Sequence, residues 1–134
     1  MRHRRVLIID DSLTICAMIE TLLNKQRDME VVGSVDRPAE AMAAISRLEP
    51  DVLTLDLAMP DLDGLTLLGT LMRRRPMPVI IVSSALVQDE GIIKQALALG
   101  AASCFDKNRL IANADRFVAL VRSARCGKVK AVAE

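Results

Sequence analysis

The chain has 134 residues, which suffices for one domain with a sizeable core and is too short for two domains of ordinary size. Hydrophobic residues make up 51% and charged residues 26%, so the composition excludes an intrinsically disordered chain. The net charge is +1 with both signs interspersed, which argues against direct binding of nucleic acid.

The cysteines and the amino-terminal segment indicate the compartment. Cys16, Cys104 and Cys126 are far apart and odd in number, so they predict neither a disulfide framework nor a zinc site and favour a reducing environment. The basic start of the chain is followed by an apolar stretch that ends at Asp10 and Asp11, too early for a signal peptide or a membrane span. We therefore expect a cytoplasmic protein without a membrane role.

The first predicted strand, Val6–Ile9, ends in the two acids Asp10 and Asp11. Ser12 supplies an N-cap for the helix that follows, whose apolar residues recur with helical spacing. The apolar residues of this first helix are Ile15, Met18, Ile19, Leu22 and Leu23. A second short strand is predicted at Val31–Val35.

The next segment leads to the most informative acid in the sequence. Pro38 opens an alanine-rich helix, and Pro50 stops it. The third strand, Val52–Leu55, is an apolar run that ends in Asp56, and the chain then breaks at Met59–Asp61. Because ligands of open α/β sheets bind beyond the carboxyl ends of buried strands, we expect Asp56 to be an exposed acid at a functional site.

Helical spacing resumes after Gly64 and continues to Arg73–Arg75, where positive side chains favour the carboxyl end of a helix. Two prolines end this helix and lead into the fourth predicted strand, Val79–Val82. That strand finishes in Ser83, so a polar residue again follows a buried strand.

The last third of the chain repeats the alternation. A fourth helix is predicted at Gln88–Leu99 and is closed by Gly100. The fifth strand, Ala101–Phe105, is short and is soon followed by Lys107. The last predicted helix runs from about Arg109 to Arg122.

Alternating strands and helices predict an α/β fold in which a parallel sheet is covered by helices on both faces. The carboxyl ends of parallel strands open on one edge of the sheet. We therefore expect the polar residues that follow the strands to meet there, although they are dispersed in the sequence. These residues are Asp10, Asp11, Asp56, Ser83 and Lys107.

Such a cluster favours metal-assisted phosphoryl chemistry. Neighbouring carboxylates repel one another unless a cation joins them, and Mg²⁺ is the hard, oxygen-seeking candidate. An ammonium group and a hydroxyl are donors suited to phosphoryl oxygens. An aspartate in that setting can act as a nucleophile and become an aspartyl phosphate.

The chain resembles a two-component response-regulator receiver domain over about Val6–Arg122. We therefore assign residues 1–122 to one receiver domain and residues 123–134 to a tail or the start of a linker. The resemblance implies a flavodoxin-like five-stranded sheet with strand order 2-1-3-4-5 and five helices. It rests on the Asp10 and Asp11 pair, the D-x-x-M-P-x-x-D-G signature from Asp56 to Gly64, Ser83 and Lys107.

The resemblance also implies roles for individual residues. Asp56 would accept a phosphoryl group from a histidine kinase or phosphotransfer protein. Asp11, Asp56 and the backbone carbonyl of Ala58 would hold Mg²⁺, with Asp10 assisting through a water. Lys107 would pair with the phosphoryl group. Output would leave through the fourth helix, fifth strand and fifth helix of a monomer or of a phosphorylation-dependent dimer.

Three positions concern the switch that follows phosphorylation. Ser83 matches the hydroxyl that turns toward the phosphoryl group. Cys104 stands where most members have Tyr or Phe, and Phe105 points to the opposite face of the strand. We hypothesise that output relies on loop and helix movement, or that Phe105 or the smaller Cys104 opens a pocket for a partner. Asn108 replaces a usual proline after Lys107, which leaves open whether that bond is cis or trans.

Alternatives remain at this point. The segment from Leu53 to Ser84 is especially similar to the receiver of chemotaxis methylesterases, so the chain is either a stand-alone receiver or the regulatory half of such a protein. A phosphatase would need a second acid at Ala58. A non-phosphorylated interaction module tends to lose an acid or the lysine. We expect a phosphoacceptor domain that is not itself an enzyme, limited to self-phosphorylation and self-dephosphorylation.

Overall fold

The computed structural model describes residues 3–59, 63–84 and 90–126. Five strands form one sheet in the order β2-β1-β3-β4-β5, and all neighbouring strands are parallel. The predicted α/β fold and its strand order are therefore confirmed. The strands are β1 (Arg4–Ile9), β2 (Met29–Val35), β3 (Val52–Leu55), β4 (Val79–Ser83) and β5 (Ser103–Asp106).

Five helices connect or follow these strands in the described part of the chain. Two short 3-10 turns, Pro38–Glu40 and Lys107–Arg109, precede the second and the last helix. Predictions that involve Pro60–Asp61, Gln88 and residues 127–134 lie outside the described residues. The helices are α1 (Leu13–Asn24), α2 (Ala41–Leu48), α3 (Gly64–Arg74), α4 (Glu90–Ala98) and α5 (Ala114–Ser123).

The core has two layers, one on each face of the sheet. The first layer joins α2, α3 and α4 to alternate strand residues such as Leu53 and Leu55. The second joins α1 and α5 to the intervening strand residues, including Val52. In this second layer the rings of Phe105 and Phe117 lie 5.3 Å apart at 57°, so the two phenylalanines of the sequence pack together. Successive residues of each strand therefore contribute to opposite layers, as expected for an extended strand.

The helix ends follow local chemistry. The Ser12 hydroxyl accepts a hydrogen bond from the Ile15 amide at 3.3 Å, which confirms the predicted N-cap of α1. Gly100 adopts φ 111°, and the next amide, that of Ala101, returns to the Ala96 carbonyl at 3.0 Å. Gly100 therefore closes α4 as predicted.

The structure corrects the boundaries of four strands. β1 begins at Arg4, two residues before the predicted start, and β4 extends one residue beyond the predicted end, to Ser83. β2 begins at Met29, two residues before the predicted start, because it pairs alongside β1 from Arg4 onward and accommodates an irregularity between Val6 and Leu7. β5 begins at Ser103 and extends to Asp106, whereas Ala101 was predicted as its first residue. The backbone around Ala101 is still occupied in ending α4.

The last helix also begins later than predicted, at Ala114 and not at Arg109. The Asp106 carboxylate accepts a hydrogen bond from the Asn108 amide at 2.9 Å, which stabilises the 3-10 turn after β5. Leu110 is completely buried beyond this turn, so the chain is drawn onto the core before a helix starts. No cis peptide bond occurs among the described residues, and the bond between Lys107 and Asn108 is therefore trans.

The first strand and the last helix are joined at the sheet edge where the strands begin. The Arg4 guanidinium donates hydrogen bonds to the carbonyls of Val121 at 2.9 Å and Ala124 at 2.8 Å. Arg5 similarly reaches the Leu48 carbonyl at the end of α2, at 2.6 Å. Within the described segments, the helices all fall short of the length and apolarity that crossing a bilayer requires.

Candidate functional site

The predicted acids lie at the opposite side of the sheet, at the carboxyl ends of the strands, which is called the acidic edge below. Asp10 follows β1, and Asp56 follows β3, the neighbouring strand. The Asp56 amide still donates to the Ile9 carbonyl at 2.9 Å, so its backbone continues the ladder between the two strands. Parallel pairing therefore places Asp10 and Asp56 side by side although 46 positions separate them in the numbering.

Three carboxylates meet at this edge. Asp10, Asp11 and Asp56 each offer an oxygen atom, and these atoms lie within 4.8 Å of one another. Asp10 and Asp56 are only 2% and 3% exposed, whereas Asp11 is exposed. The predicted convergence of the three acids is thus found, but the expectation that Asp56 is exposed was wrong. The side chains around its strand end cover the carboxylate.

Lys107 links two of these acids. Its ammonium donates a 2.9 Å hydrogen bond to Asp56 Oδ2. It also lies 2.9 Å from Asp10 Oδ2 as an ion pair, although the approach does not suit a hydrogen bond. The lysine side chain is 13% exposed, so the pairing takes place away from most of the solvent. A single cation therefore compensates two buried carboxylates.

The remaining oxygens of the two buried acids accept backbone hydrogen bonds. Asp10 Oδ1 accepts from the Ser12 amide at 2.8 Å, and Asp56 Oδ1 accepts from the Ala58 amide at 3.0 Å. Asp10 Oδ2 is buried and accepts no hydrogen bond from any described residue. Lys107 offsets its charge as an ion pair at 2.9 Å, so this oxygen can still accept a hydrogen bond from a water bound to a second cation.

Burial and pairing shift the ionisation of the site. Burial raises the pKa of the Asp10 carboxyl above its usual value, although the Ser12 amide and Lys107 act in the opposite direction. Burial alone would lower the pKa of Lys107, but its hydrogen bond to Asp56 and its ion pair with Asp10 outweigh that effect and raise the pKa. Lys107 therefore stays charged at neutral pH.

The donor set fits Mg²⁺. All three side chains offer carboxylate oxygen, the ligand type that a hard divalent cation prefers. Lys107 supplies one positive charge to a cluster of three carboxylates, so an excess of negative charge remains. A divalent cation would supply the missing positive charge.

Ser83 and Ala58 lie at the same edge. Ser83 is the last residue of β4, is completely buried and stands opposite Asp106 in the register with β5. Ala58 is exposed, two residues beyond Asp56. The topology therefore brings both predicted residues to the functional edge.

The two predicted switch positions on β5 face opposite layers. Phe105 is buried against Phe117 in the layer formed with α1 and α5. Cys104 is half-buried and packs against the layer formed with α2, α3 and α4. The predicted opposition of Cys104 and Phe105 is confirmed. Burial raises the pKa of the Cys104 thiol to about 11, so this thiol is protonated at neutral pH.

Sequence reasoning did not identify two supports of the site. The Cys16 thiol donates to the Asp10 carbonyl at 3.4 Å, a contact that only the packing of α1 creates. A methyl group on Gly64 would lie 2.5 Å from Leu57 Cα, so the signature glycine permits close approach to the segment after Asp56. The position of Gly64 in the motif was a signal for the second feature, whereas Cys16 gave none.

Known proteins are similar to this chain in sequence and in fold. A protein-glutamate methylesterase/protein-glutamine glutaminase of Gluconobacter oxydans is 42% identical over 127 residues, which are 92% of this chain and 36% of that protein. One from Cupriavidus metallidurans is 47% identical over 106 residues, 79% of this chain and 30% of that protein. The chain thus spans about a third of the length of these relatives.

The solved response regulator domain of Thermotoga maritima CheB superposes with a TM-score of 0.86 at 32% identity, covering 92% of this chain and 96% of that one. Residues 6–121 match the family described as response regulator receiver domain. The matched region contains the acidic cluster, Ser83 and Lys107. The chain belongs to the response regulator receiver domain family.

Proposed function

We propose that this receiver domain accepts a phosphoryl group on Asp56 from a phosphohistidine of a histidine kinase or phosphotransfer protein. One observation carries the proposal: the oxygens of Asp10, Asp11 and Asp56 lie within 4.8 Å of one another, and Lys107 is bonded to Asp56. This arrangement supports the proposal, because Asp56 as a nucleophile would have both metal-ligating carboxylates and a fixed cation beside it.

In the proposed reaction, an Asp56 carboxylate oxygen forms a bond to phosphorus while the bond from phosphorus to the donor histidine nitrogen breaks. The leaving imidazole keeps the bonding electron pair. Lys107 is 2.9 Å from Asp56 Oδ2 and can remain paired with a phosphoryl oxygen after transfer. Ser83 is buried at the end of the neighbouring strand. Its hydroxyl would donate a hydrogen bond to the phosphoryl group, and the loop that carries Ser83 would move with it.

Asp11, Asp56 and the backbone carbonyl of Ala58 would hold Mg²⁺, with Asp10 acting through a water. Asp10 Oδ2 is ion-paired with Lys107 but accepts no hydrogen bond from the described residues. This supports the assignment, because a water bound to the ion could donate to it. When bound, Mg²⁺ supplies positive charge that offsets charge on the phosphoryl oxygens.

Intact-mass measurement after incubation with acetyl phosphate and Mg²⁺ tests the proposal. We expect one phosphoryl adduct that depends on Mg²⁺ and is lost in Asp56→Asn. The matched control is Asp106→Asn, because Asp106 ends β5 at the same edge but its carboxylate caps the Asn108 amide, a bond that asparagine can also make. An adduct that persists in Asp56→Asn would overturn the assignment, and repeated turnover of phosphomonoesters would indicate a phosphatase.

A second proposal concerns output: phosphorylation of this domain regulates a methylesterase. It is supported by the relatives, of which this chain resembles about a third. Replacing the matching third of the Gluconobacter oxydans protein with this chain gives a direct test. Acetyl phosphate and Mg²⁺ should raise methylesterase activity of the chimera, and Asp56→Asn should abolish the increase. An unresponsive but phosphorylated chimera would favour a stand-alone receiver with another partner.

The surface formed by α4, β5 and α5 is the proposed route of output, with or without dimerisation. Cys104 lacks the ring that most family members place there, so signal transmission would use loop and helix movement. Amide shifts induced by Mg²⁺ and beryllofluoride should include residues of α4 and β5. Changes confined to the loop that carries Asp10 and Asp11 would contradict this route.

The cytoplasmic location of the protein and the assignment of residues 123–134 to a tail or linker likewise stay predictions.

A further inference from the structure

The peptide group between Asp10 and Asp11 links two acids of the same cluster that differ in burial. The two acids are consecutive, yet Asp10 is 2% exposed and Asp11 is exposed, and both offer oxygens to the same cluster. The carbonyl of Asp10 and the amide of Asp11 form one rigid plane. Rotation of that plane would change the directions of the two side chains relative to each other, so its orientation affects the spacing of the carboxylates.

A side chain from α1 holds this plane. The Cys16 thiol lies 3.4 Å from the Asp10 carbonyl oxygen and donates to it. Cys16 is 6% exposed and packs in the layer that contains Ile19 and Phe117.

The other bonds of the loop fix different groups. The Asp10 amide donates to the Val35 carbonyl at 3.0 Å, and Asp10 Oδ1 accepts from the Ser12 amide at 2.8 Å. The Cys16 amide donates to the Ser12 carbonyl at 3.0 Å as part of the first helical turn. The thiol thus adds a link from the body of α1 to the carbonyl that directly precedes Asp11.

We infer that Cys16 is a positioning residue for the acidic edge: its thiol orients the peptide plane between Asp10 and Asp11 and thereby the carboxylates proposed to hold Mg²⁺. The role rests on the proposed function, since Mg²⁺ binding is what the orientation serves. A thiol suits this place because it behaves as a small apolar group within the layer and still supplies a weak donor.

Two substitutions separate donation from packing. Cys16→Ser keeps a donor at the same position, whereas Cys16→Ala removes it. We expect calorimetric titration to show Mg²⁺ affinity about tenfold weaker in Cys16→Ala, at the lower end of the effect of losing an outer partner of a metal ligand. Cys16→Ser should bind within about twofold of the parent chain, because the donor that orients the peptide is restored.

The control is Ile19→Val, one turn further along α1, where a completely buried side chain without polar atoms loses one methylene. It should lower the free energy of unfolding by about 1 kcal/mol without changing Mg²⁺ affinity. A purely structural role for Cys16 predicts the same behaviour for Cys16→Ala. Equal Mg²⁺ affinity in Cys16→Ala and the parent chain would overturn the inference.

A second readout does not need the metal. In ¹⁵N spectra recorded with a chelator, the Asp11 amide should shift in Cys16→Ala and return toward its parent position in Cys16→Ser. If the parent chain binds no Mg²⁺, the proposed metal site fails, and these spectra still decide the positioning role. An Asp11 resonance that is unchanged in Cys16→Ala would refute it.

Discussion

Lys107 and Asp56 are 51 positions apart in the sequence, and a 2.9 Å hydrogen bond joins the ammonium of one to the carboxylate of the other. The same ammonium is equally close to Asp10. Both acids are buried, so this single cation supports two charges that solvent cannot stabilise. The site therefore has a built-in dependence on positive charge even before a metal binds.

Lys107→Met should destabilise the metal-free fold at pH 7. The substitution leaves Asp10 and Asp56 without their shared cation, and we expect a loss of about 2 kcal/mol in the free energy of unfolding, below the range for fully buried pairs because the lysine is partly exposed. Urea unfolding with a chelator measures the loss. Added Mg²⁺ should recover more stability in the variant than in the parent chain, since it replaces the missing charge.

Arg122→Met provides the comparison for Lys107→Met. Arg122 pairs with Asp28 at 2.7 Å, but the two side chains are 47% and 37% exposed. Exposed ion pairs contribute little, so the loss should be much smaller than in Lys107→Met and insensitive to Mg²⁺. Equal losses in the two variants would show that burial of the Lys107 pair does not matter.

The pH dependence of the metal-free protein should reveal Asp10. Its pKa in the folded state lies above the ordinary value of 3.8, so the fold binds this proton more tightly than the unfolded chain does. Stability attributable to Asp10 is therefore highest below pH 3.8 and is lost as the pH rises through the elevated folded pKa. Asp10→Asn should remove this decline and be about 1 kcal/mol more stable than the parent chain at pH 7.

Urea unfolding from pH 3 to pH 7 in a chelator checks this prediction, and the advantage of Asp10→Asn should vanish at the acidic end. Lys107 follows the same direction in an alkaline window, because its folded pKa is raised above 10.5. Its pairing stabilises the fold fully below pH 10.5 and is lost as the pH rises through the folded pKa. An Asp10→Asn variant that is less stable at pH 7 would contradict the burial argument.

Gly64→Ala should disturb the segment that follows Asp56. The added methyl would lie 2.5 Å from Leu57 Cα and 3.0 Å from the Leu57 carbonyl oxygen, both of which are backbone atoms. Relief requires Leu57 to move, and Leu57 is adjacent to Asp56. We expect a loss of about 2 kcal/mol and slower formation of the phosphoryl adduct, measured by urea unfolding and by intact mass.

Gly69→Ala, on the same helix, is the matched substitution. Its methyl would meet Arg73 Nη1 at 3.5 Å and Leu99 Cδ2 at 3.7 Å, which are ordinary contacts. Because glycine is unfavourable within a helix, this variant should gain about 0.5 kcal/mol and form the adduct at the parent rate. Similar losses at both glycines would show that the approach to Leu57 is not the constraint.

Thr54→Val should stabilise the protein. Thr54 lies within β3, is 1% exposed, and its hydroxyl makes no hydrogen bond to the described residues. Valine has nearly the same shape and removes the uncompensated polar group, so we expect a gain of about 1 kcal/mol in urea unfolding. Destabilisation would mean that the hydroxyl has a partner, such as a buried water.

The sequence predicted the strand ends and their polar residues well, because an apolar run followed by Asp10 or Asp56 is a local pattern with one simple topological outcome. Parallel pairing then implied that these acids meet Lys107. Thr54 was included in an apolar run, since a single hydroxyl does not interrupt a strand pattern. Whether that hydroxyl finds a partner depends on its neighbours in three dimensions.

Features that depend on packing angles were not predicted. The contact from Cys16 to Asp10 requires a particular placement of α1 on the sheet, for which the sequence has no local marker. The late start of α5 has a similar cause: burial of Leu110 and capping by Asp106 override a helical spacing that begins earlier in the sequence.

The hydrogen bonds from Arg4 to Val121 and Ala124 fix where the last helix leaves the domain. The last helix therefore ends on the side of the domain away from Asp56, because β1 begins on that side and ends beside the acids. A module tethered after Cys126 would have to fold back along a flank of the domain to contact the three acids. Tether length would then control how effectively the two communicate.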